Sequence, residues 1–185
     1  MTAAFMDTSS VVLILEGWAH RSYLLPDGRR QITELLLPGD MLVSASASDS
    51  PDVSITAITA VTHCSFPVSS VKDRPGLAQA LRASRTVEEA RLRRQIVRLG
   101  RLDAMERIAD WLLELYDRLE ASGSCFGETM PLPATQEIMA DTLGLTSVHV
   151  NRTLGALRRD NLISMQSGRV VFLDRDRCRS MVGRG

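Results

Sequence analysis

The side chains best suited to recognition chemistry lie within residues 143–159, a segment that contains no aspartate or glutamate. Apolar residues at Val150, Leu154 and Leu157 are spaced by four and three positions, which predicts a helix that buries this face. The opposite face carries Ser147, Val148, Asn151 and Arg152, with His149 at its flank. Arginine and asparagine can each make paired hydrogen bonds to base edges in the DNA major groove. The pattern therefore predicts a helix that reads a base sequence.

A second predicted helix and a tight turn precede this segment. Thr135 and Thr146 are of the residue type that begins helices by accepting a backbone N–H. Gly144 lies between the two helices, where a left-handed backbone conformation is favourable for glycine. Two helices joined so closely predict a helix-turn-helix, which aims the start of its second helix at a major groove.

A β-hairpin is predicted directly after the recognition helix. Residues 161–165 and 170–173 have strand character, and the turn between them contains Gly168 followed by Arg169. A helix-turn-helix followed by such a wing is much rarer by chance than a helical hairpin alone. We therefore predict a winged helix-turn-helix with Arg169 on its wing.

The N-terminal part of the chain has the pattern of short strands and turns. β-Branched segments within residues 11–37 and 53–67 alternate with turn sequences at 26–28 and 38–40, and residues 44–52 read as a loop. Strands at this spacing predict an antiparallel sandwich or barrel.

A long helix is predicted between these two parts. Residues 77–99 contain neither proline nor glycine and repeat apolar side chains at helical intervals between charged flanks. So narrow an apolar seam suits a second copy of the same helix, although one side of an ordinary domain core is an open alternative. We assign the dimer contact to Val87, Leu92, Ile96 and Leu99. Asp103 is predicted to cap a further helix that runs to about Glu120, and residues 122–133 read as a loop.

Composition excludes several classes of protein. The chain has 185 residues, 44% of them hydrophobic and 24% charged, with a net charge of zero, which is typical of a globular protein. It contains no apolar run of membrane-spanning length, and its start lacks the basic region of a signal peptide. The 3 cysteines lie far apart without a CxxC pair, which indicates a reducing cytoplasm.

No catalytic or metal site is predicted. The 3 histidines share no metal-ligand spacing, and no nucleophile–base motif is present. We expect no catalytic residue, no cofactor and no metal. His20 is expected to be half-exposed in a strand, and Cys178 to be an inert small residue, with a redox-sensitive thiol as the alternative.

Several segments, in the same order along the chain, resemble the Crp/Fnr family of bacterial transcription regulators. They are Leu-Glu-Gly at 15–17, Leu-Leu-Pro-Asp-Gly-Arg at 24–29, Leu-Pro-Gly-Asp at 37–40, the long helix, residues 144–152 and the wing. The resemblance implies an α+β fold with an N-terminal antiparallel β-roll of jelly-roll type, a long dimerisation helix and a C-terminal winged helix-turn-helix. We accordingly expect a β-roll domain at 1–75, a dimerisation helix at 76–102 and a DNA-binding domain at 103–185.

The resemblance also implies residue roles. Arg152 matches the family's base-reading arginine, and Ser147, Val148 and Asn151 occupy neighbouring base-facing positions. Gln136, Thr146 and His149 match positions at or beside a phosphate. The partners implied are double-stranded DNA with a palindromic operator, a second copy of the chain and, for an activator, RNA polymerase.

The chain departs from the family in its sensor part. Members that bind cyclic AMP use a glutamate for the ribose and an arginine for the phosphate, and Ser44 and Val53 stand at about those positions here. We therefore expect no cyclic AMP binding. The iron–sulfur branch needs four cysteines, whereas this chain has 3. Only about 15 residues precede Glu16, so we expect either a β-roll that is shortened at its N-terminus or a native start that lies upstream of Met1.

These observations predict a cytoplasmic, homodimeric, sequence-specific DNA-binding regulator that binds rather than catalyses and has no membrane segment. One alternative is an effector-binding sensor or interaction protein whose β-roll accompanies no specific DNA binding, although the acid-free recognition face disfavours it. Another is an enzyme with a cupin-like barrel. Such an enzyme would need a cluster of histidine and glutamate metal ligands in its strands, and His20, His63 and Glu34 are too sparse to form one. The effector, the operator and the choice between activation and repression stay open.

Overall fold

A computed structural model describes residues 10–43 and 53–184, which form two compact units that divide after Arg94. Within the described part of the N-terminal unit, six strands form two three-stranded antiparallel sheets. One sheet has the order β4-β1-β6 and the other the order β3-β2-β5. The strands are β1 (Ser10–Glu16), β2 (Ala19–Leu24), β3 (Arg30–Leu36), β4 (Met41–Val43), β5 (Val53–Ala57) and β6 (Thr62–Pro67).

The two sheets share one apolar core. Val12 and Ile14 of β1 pack with Ala19 of β2, Leu36 of β3 and Leu42 of β4. Because these residues come from both sheets, the sheets form two layers around a common interior. The predicted antiparallel β-roll is confirmed.

The crossing from one sheet to the other depends on Gly17. Its φ is +85°, and a Cβ atom at this position would lie 1.9 Å from the Ala60 carbonyl oxygen. Any side chain would therefore collide with backbone. Trp18 follows directly, its side chain is buried, and its backbone N–H donates to Thr59 Oγ1 at 2.9 Å.

Three local expectations for this unit differ from the observed structure or lie outside the described residues. The sequence indicates one β-branched segment at 53–67, but these residues form two strands that belong to different sheets. The prediction that His20 is half-exposed is wrong: β2 is the central strand of its sheet, and the side chain is only 2% exposed. The loop predicted at 44–52 lies outside the described residues.

The long helix α1 (Pro75–Arg101) follows a short 3₁₀ turn, Val68–Val71. Polar contacts connect its first part to the strands of the same unit. Arg91 pairs with Asp40 at 2.8 Å, Arg21 pairs with Glu88 at 2.9 Å, and the Ser84 hydroxyl donates to a β4 carbonyl. The long helix is confirmed, and four of its apolar side chains, Val87, Leu92, Ile96 and Val97, are exposed.

The C-terminal unit is built around α2 (Ala104–Ala121), whose Ile108, Trp111, Leu112 and Leu115 are buried. Asp103 begins the helix as predicted: Oδ1 accepts the N–H groups of Met105 and Glu106, and Glu106 accepts the Asp103 N–H in return. The remaining elements are β7 (Thr129–Pro131), α3 (Gln136–Leu143), α4 (Ser147–Arg159), β8 (Ile163–Gln166), β9 (Arg169–Phe172) and α5 (Arg175–Met181).

The predicted wing is confirmed, with one added strand. β8 and β9 pair as a hairpin, and β7 joins the other side of β9, within the stretch 122–133 that the sequence indicates as a loop. β7 is three residues long and ends at Pro131, so nothing in its own sequence has a strand signature. Its pairing with distant β9 determines its conformation.

Two further findings concern the residues that the structure describes. No helix in residues 10–43 or 53–184 is long and apolar enough to cross a membrane. Over the same ranges, no three histidine, cysteine or acidic side chains gather as metal ligands.

Candidate DNA-binding surface

Local side-chain bonds fix both helices of the helix-turn-helix. Thr135 Oγ1 accepts the Ile138 N–H at 3.2 Å to begin α3, and Thr146 Oγ1 accepts the His149 N–H at 3.1 Å to begin α4. Between them Gly144 ends α3 with φ +63° and ψ +39°. The left-handed glycine and both caps lie where the sequence predicts them.

One face of α4 anchors the recognition surface. Val150, Leu154 and Leu157 are buried, as their spacing predicts, and Thr153 is buried beside them. This packing leaves the opposite face of the helix in solvent, where Val148 is 80% exposed. An isopropyl group so fully exposed adds little to the core, and its methyl groups are accessible to another molecule.

Five of the eight predicted DNA-contacting residues meet in one open recess of about 400 Å³. They are Gln136, Ser147, Val148, Asn151 and Arg152. Arg152 provides the single charge among these five lining residues, and it is positive. The recess therefore offers hydrogen-bond donors, acceptors and a methyl surface without a carboxylate to repel phosphate.

These groups match the chemistry of a base-pair edge. An arginine fork fits guanine N7 and O6, an asparagine or glutamine amide fits adenine N6 and N7, and an apolar group fits the thymine methyl. The free N–H groups at the start of α4 and the positive end of its helix dipole favour a phosphate nearby. The arrangement can bind the major groove and its flanking backbone.

The other three predicted residues lie outside the recess lining. Thr146 is exposed at the helix start, where its hydroxyl is engaged as the cap, and His149 is half-buried at the flank. Arg169 is exposed on the wing, beside a turn in which Ser167 and Gly168 have φ of +50° and +71°. Two positive φ values in sequence are typical of a tight hairpin turn, which fixes where Arg169 begins β9.

The proposed dimer residues have different environments. Leu92 and Ile96 are 42% and 71% exposed on α1. Leu99 is half-buried, and its Cδ2 lies 3.5 Å from where a Cβ on Gly144 would stand. Val87 is exposed, but in a continuous helix it lies about 140° around the axis from Leu92. One narrow seam can therefore contain Leu92, Ile96 and the free edge of Leu99, but not Val87.

A small cavity lies between the described strands of the two sheets of the β-roll. The cavity between its sheets is about 10 Å³ and is lined by His63 and seven apolar side chains. That volume is near the minimum for one water molecule. Val53 is half-buried at the start of β5, whereas Ser44 lies outside the described residues. The absence of cyclic AMP binding stays a prediction.

Cys178 lies in the buried side of α5. Burial raises the pKa of its thiol to about 11, and the nearby Asp174 carboxylate acts in the same direction. A thiol with so high a pKa contains little of the reactive thiolate near neutral pH. This environment favours the inert role over the redox-sensitive one.

Sequence reasoning missed a group of polar residues that join helices in this unit. Arg98 is 1% exposed and donates to Asp110 at 2.8 Å and to Glu114 at 2.6 Å. Asp110 is also fully buried and accepts a second bond, of 2.8 Å, from Arg184. These partners are 12 to 74 positions apart, so no local spacing could reveal them.

Comparisons with known proteins agree with the geometry of this surface. Residues 106–181 match the family model of the Crp-like helix-turn-helix domain. The chain is 37% identical over 171 residues to the nitrogen fixation regulation protein FixK of Bradyrhizobium diazoefficiens, covering 90% of this chain and 71% of that protein. It is also 37% identical over 169 residues to the transcriptional activatory protein AadR of Rhodopseudomonas palustris, covering 89% of this chain and 70% of that one.

A solved structure gives the same result for the fold. FixK2 from Bradyrhizobium japonicum matches with a TM-score of 0.82 and 28% identity, over 98% of this chain and 91% of that one. The resemblance seen in the sequence is therefore confirmed. The chain belongs to the Crp/Fnr family of DNA-binding transcription regulators.

Proposed function

We propose that the chain acts as a homodimer on a twofold-symmetric DNA site, with one α4 helix entering the major groove of each half-site. The observation that carries this proposal is the open recess, in which five predicted contact residues converge without an acidic group. Its chemistry is binding rather than catalysis, so we propose that the chain is not an enzyme. Its place of action is the cytoplasm, where bacterial DNA lies.

Within each half-site, Arg152 reads a guanine and Asn151 and Ser147 offer further hydrogen bonds to base edges. Val148 supplies apolar contact for a thymine methyl. This assignment of base contacts rests on the exposure of all four side chains around one recess.

Contacts to the sugar–phosphate backbone hold the recognition helix in register. Gln136 and Thr146 stand at the starts of α3 and α4, where backbone N–H groups favour an anion, and His149 flanks them. Arg169 extends the contact from the wing. Such contacts contribute affinity without regard to sequence.

A twofold dimer through α1 accounts for the symmetry of the site. Leu92 and Ile96 leave apolar surface exposed between charged neighbours, and an isologous contact would cover the same patch on both copies. Two recognition helices related by a twofold axis require half-sites in inverted orientation.

Contact with RNA polymerase is a further part of the proposal. AadR, which resembles this chain over most of its length, is described as a transcriptional activatory protein. An activator that binds DNA beside a promoter needs a surface for the polymerase. Transcription from a template that carries the selected site, measured with and without the protein, shows whether the protein activates or represses.

Selection of binding sites from random DNA duplexes tests the proposal. The expected result is an inverted repeat with half-sites about one helical turn apart, and an affinity that falls steeply between about 50 and 200 mM salt. Recovery of unrelated sequences would contradict the proposal and favour a sensor or interaction protein without specific DNA binding. A single unrepeated half-site would contradict the dimer.

A further inference from the structure

The end of the long helix and the turn of the helix-turn-helix share a set of side-chain bonds that the proposed base contacts do not use. Arg107, in the first turn of α2, donates to three backbone carbonyls. Nη2 donates to Leu99 O at 2.9 Å, Nε to Leu102 O at 2.8 Å and Nη1 to Leu143 O at 3.2 Å.

These carbonyls belong to two helix ends. Leu99 lies in the last turn of α1 and Leu102 follows it, while Leu143 is the last residue of α3. Carbonyls in a final helical turn lack a partner within their own helix. One guanidinium therefore satisfies the ends of α1 and α3 together, and a charged donor makes each bond stronger than a neutral one would.

A second side-chain hydrogen bond also joins α1 to the end of α3. Gln95 of α1 is buried and donates from Nε2 to Thr142 O of α3 at 2.6 Å. Its Oε1 accepts a bond from Arg98, which is itself held by Asp110 and Glu114 of α2. We call Gln95 and Arg107 together the helix-end clamp.

The clamp closes directly before Gly144, the residue at which the chain turns into α4. Leu99 Cδ2 and Arg107 Nη1 lie 3.5 and 3.8 Å from where a Cβ on Gly144 would stand. The last two turns of α1, the end of α3 and the recognition turn are therefore in mutual contact.

We infer that the helix-end clamp fixes the half-site spacing that the dimer accepts, by making each recognition helix move with the end of its own α1. The inference rests on the proposed dimer, because spacing has meaning only when two α4 helices bind one site. Arg107 and Gln95 are thus positioning residues: they contact no base but determine where the base-reading residues point.

Arg107→Met tests this inference. The probes are duplexes that carry the selected inverted repeat, the same repeat with one base pair added or removed at its centre, and a single half-site. One base pair changes the relative orientation of the half-sites by about 34°. Wild type is expected to prefer the correct spacing strongly, since two linked contacts add about 100-fold or more to the affinity of one.

For Arg107→Met we expect unchanged half-site affinity and about a tenfold loss of discrimination between correct and altered spacing. Arg107→Lys has a single ammonium that cannot bond all three carbonyls. Its spacing discrimination should therefore lie between that of wild type and that of Arg107→Met. Half-site affinity also shows that the winged helix has folded, and Gln95→Met provides an independent break of the clamp. Arg177→Met, on the exposed part of α5, is the matched control and should retain full spacing discrimination.

Two results would overturn the inference, and they differ. If wild type prefers the correct spacing and both clamp variants retain that preference, the clamp only stabilises the fold. If wild type binds a single half-site as tightly as the repeat, the proposed dimeric function fails and the inference fails with it.

Discussion

The two units differ in the charged side chains that they bury among the described residues. In the N-terminal unit the space between the sheets is closed by apolar residues such as Val12, Ile14 and Leu36. In the C-terminal unit an apolar core surrounds α2, but Arg98 and Asp110 are buried beside it as a charged pair. Apolar packing is tolerant of direction, whereas a charged pair requires particular atoms at particular distances.

This difference indicates where geometry matters most in the molecule. In the β-roll, mainly hydrophobic side chains line a cavity of about 10 Å³ between the described strands. Directional bonds from buried or half-buried side chains hold the helix ends that position α4. The open recess lies on that same unit, so the precise part of the structure is the part that presents recognition groups.

The largest effect on dimerisation and DNA affinity is expected at the exposed face of α1, which the core of neither unit covers. Ile96→Asp places a charge in the proposed seam and should yield monomers whose affinity for the paired site falls by about 100-fold or more. Sedimentation measures the dimer directly. Val87→Asp is the matched control, because Val87 is also exposed but lies on another face of the helix.

A monomeric Val87→Asp protein together with a dimeric Ile96→Asp protein would reverse this assignment of faces. The sequence groups Val87 with Leu92, Ile96 and Leu99. The two variants test the contribution of Val87 separately from that of Ile96.

The next effect concerns the buried charges. Arg98→Met leaves Asp110 and Glu114 without their central partner and should destabilise the C-terminal unit by about 3–5 kcal/mol. Trp111 reports on that unit and Trp18 on the other, so denaturation of a Trp18→Phe background follows the C-terminal unit alone. Leu36→Ala in the N-terminal core should leave the Trp111 transition unchanged. A shift of less than about 1 kcal/mol for Arg98→Met would show that the charged network is dispensable.

The same contrast explains how far the sequence could predict the fold. Thr135, Gly144, Thr146 and Asp103 act on their immediate neighbours, so the helix starts and the turn are visible in local spacing. The hairpin turn at Ser167 and Gly168 is equally local.

Features that depend on distant partners were not predictable. β7 exists through its pairing with β9, and the burial of His20 follows from the central place of β2 between β3 and β5. Arg107 and Arg98 resemble solvent-exposed helix charges in the sequence, yet their partners are carbonyls and carboxylates on other helices. For the recognition surface, local spacing identified Ser147, Val148, Asn151 and Arg152, and the family resemblance added Gln136. Neither identified the clamp behind the recess.

A smaller effect is expected on the wing. Arg169→Ala should weaken binding to all sequences alike and make the dependence of log affinity on log salt shallower by about one unit for each phosphate that the side chain neutralises. Titration over a series of salt concentrations measures this slope. An unchanged slope would show that Arg169 does not bind a phosphate.

The smallest effect is expected at the cysteines, which again differ between the units. Cys64 is exposed, whereas burial raises the pKa of Cys178 to about 11. A raised pKa lowers the thiolate fraction at every pH below it, so about 0.1% of Cys178 is ionised at pH 8. A thiol reagent should modify Cys64 rapidly and Cys178 only after unfolding, and Cys178→Ala should change DNA affinity by less than about twofold. Rapid native labelling of Cys178 would restore the redox hypothesis.

Site selection with Arg152→Ala beside wild type tests the central claim, that the recess reads sequence. An arginine that binds guanine contributes about 1–3 kcal/mol of discrimination against other bases. The variant should therefore lose preference at one base pair in each half-site while retaining the rest of the motif, and Arg169→Ala should retain the motif entirely. If Arg152→Ala selects the same motif as wild type at every position, Arg152 does not read sequence and the proposed orientation of α4 in the groove is wrong.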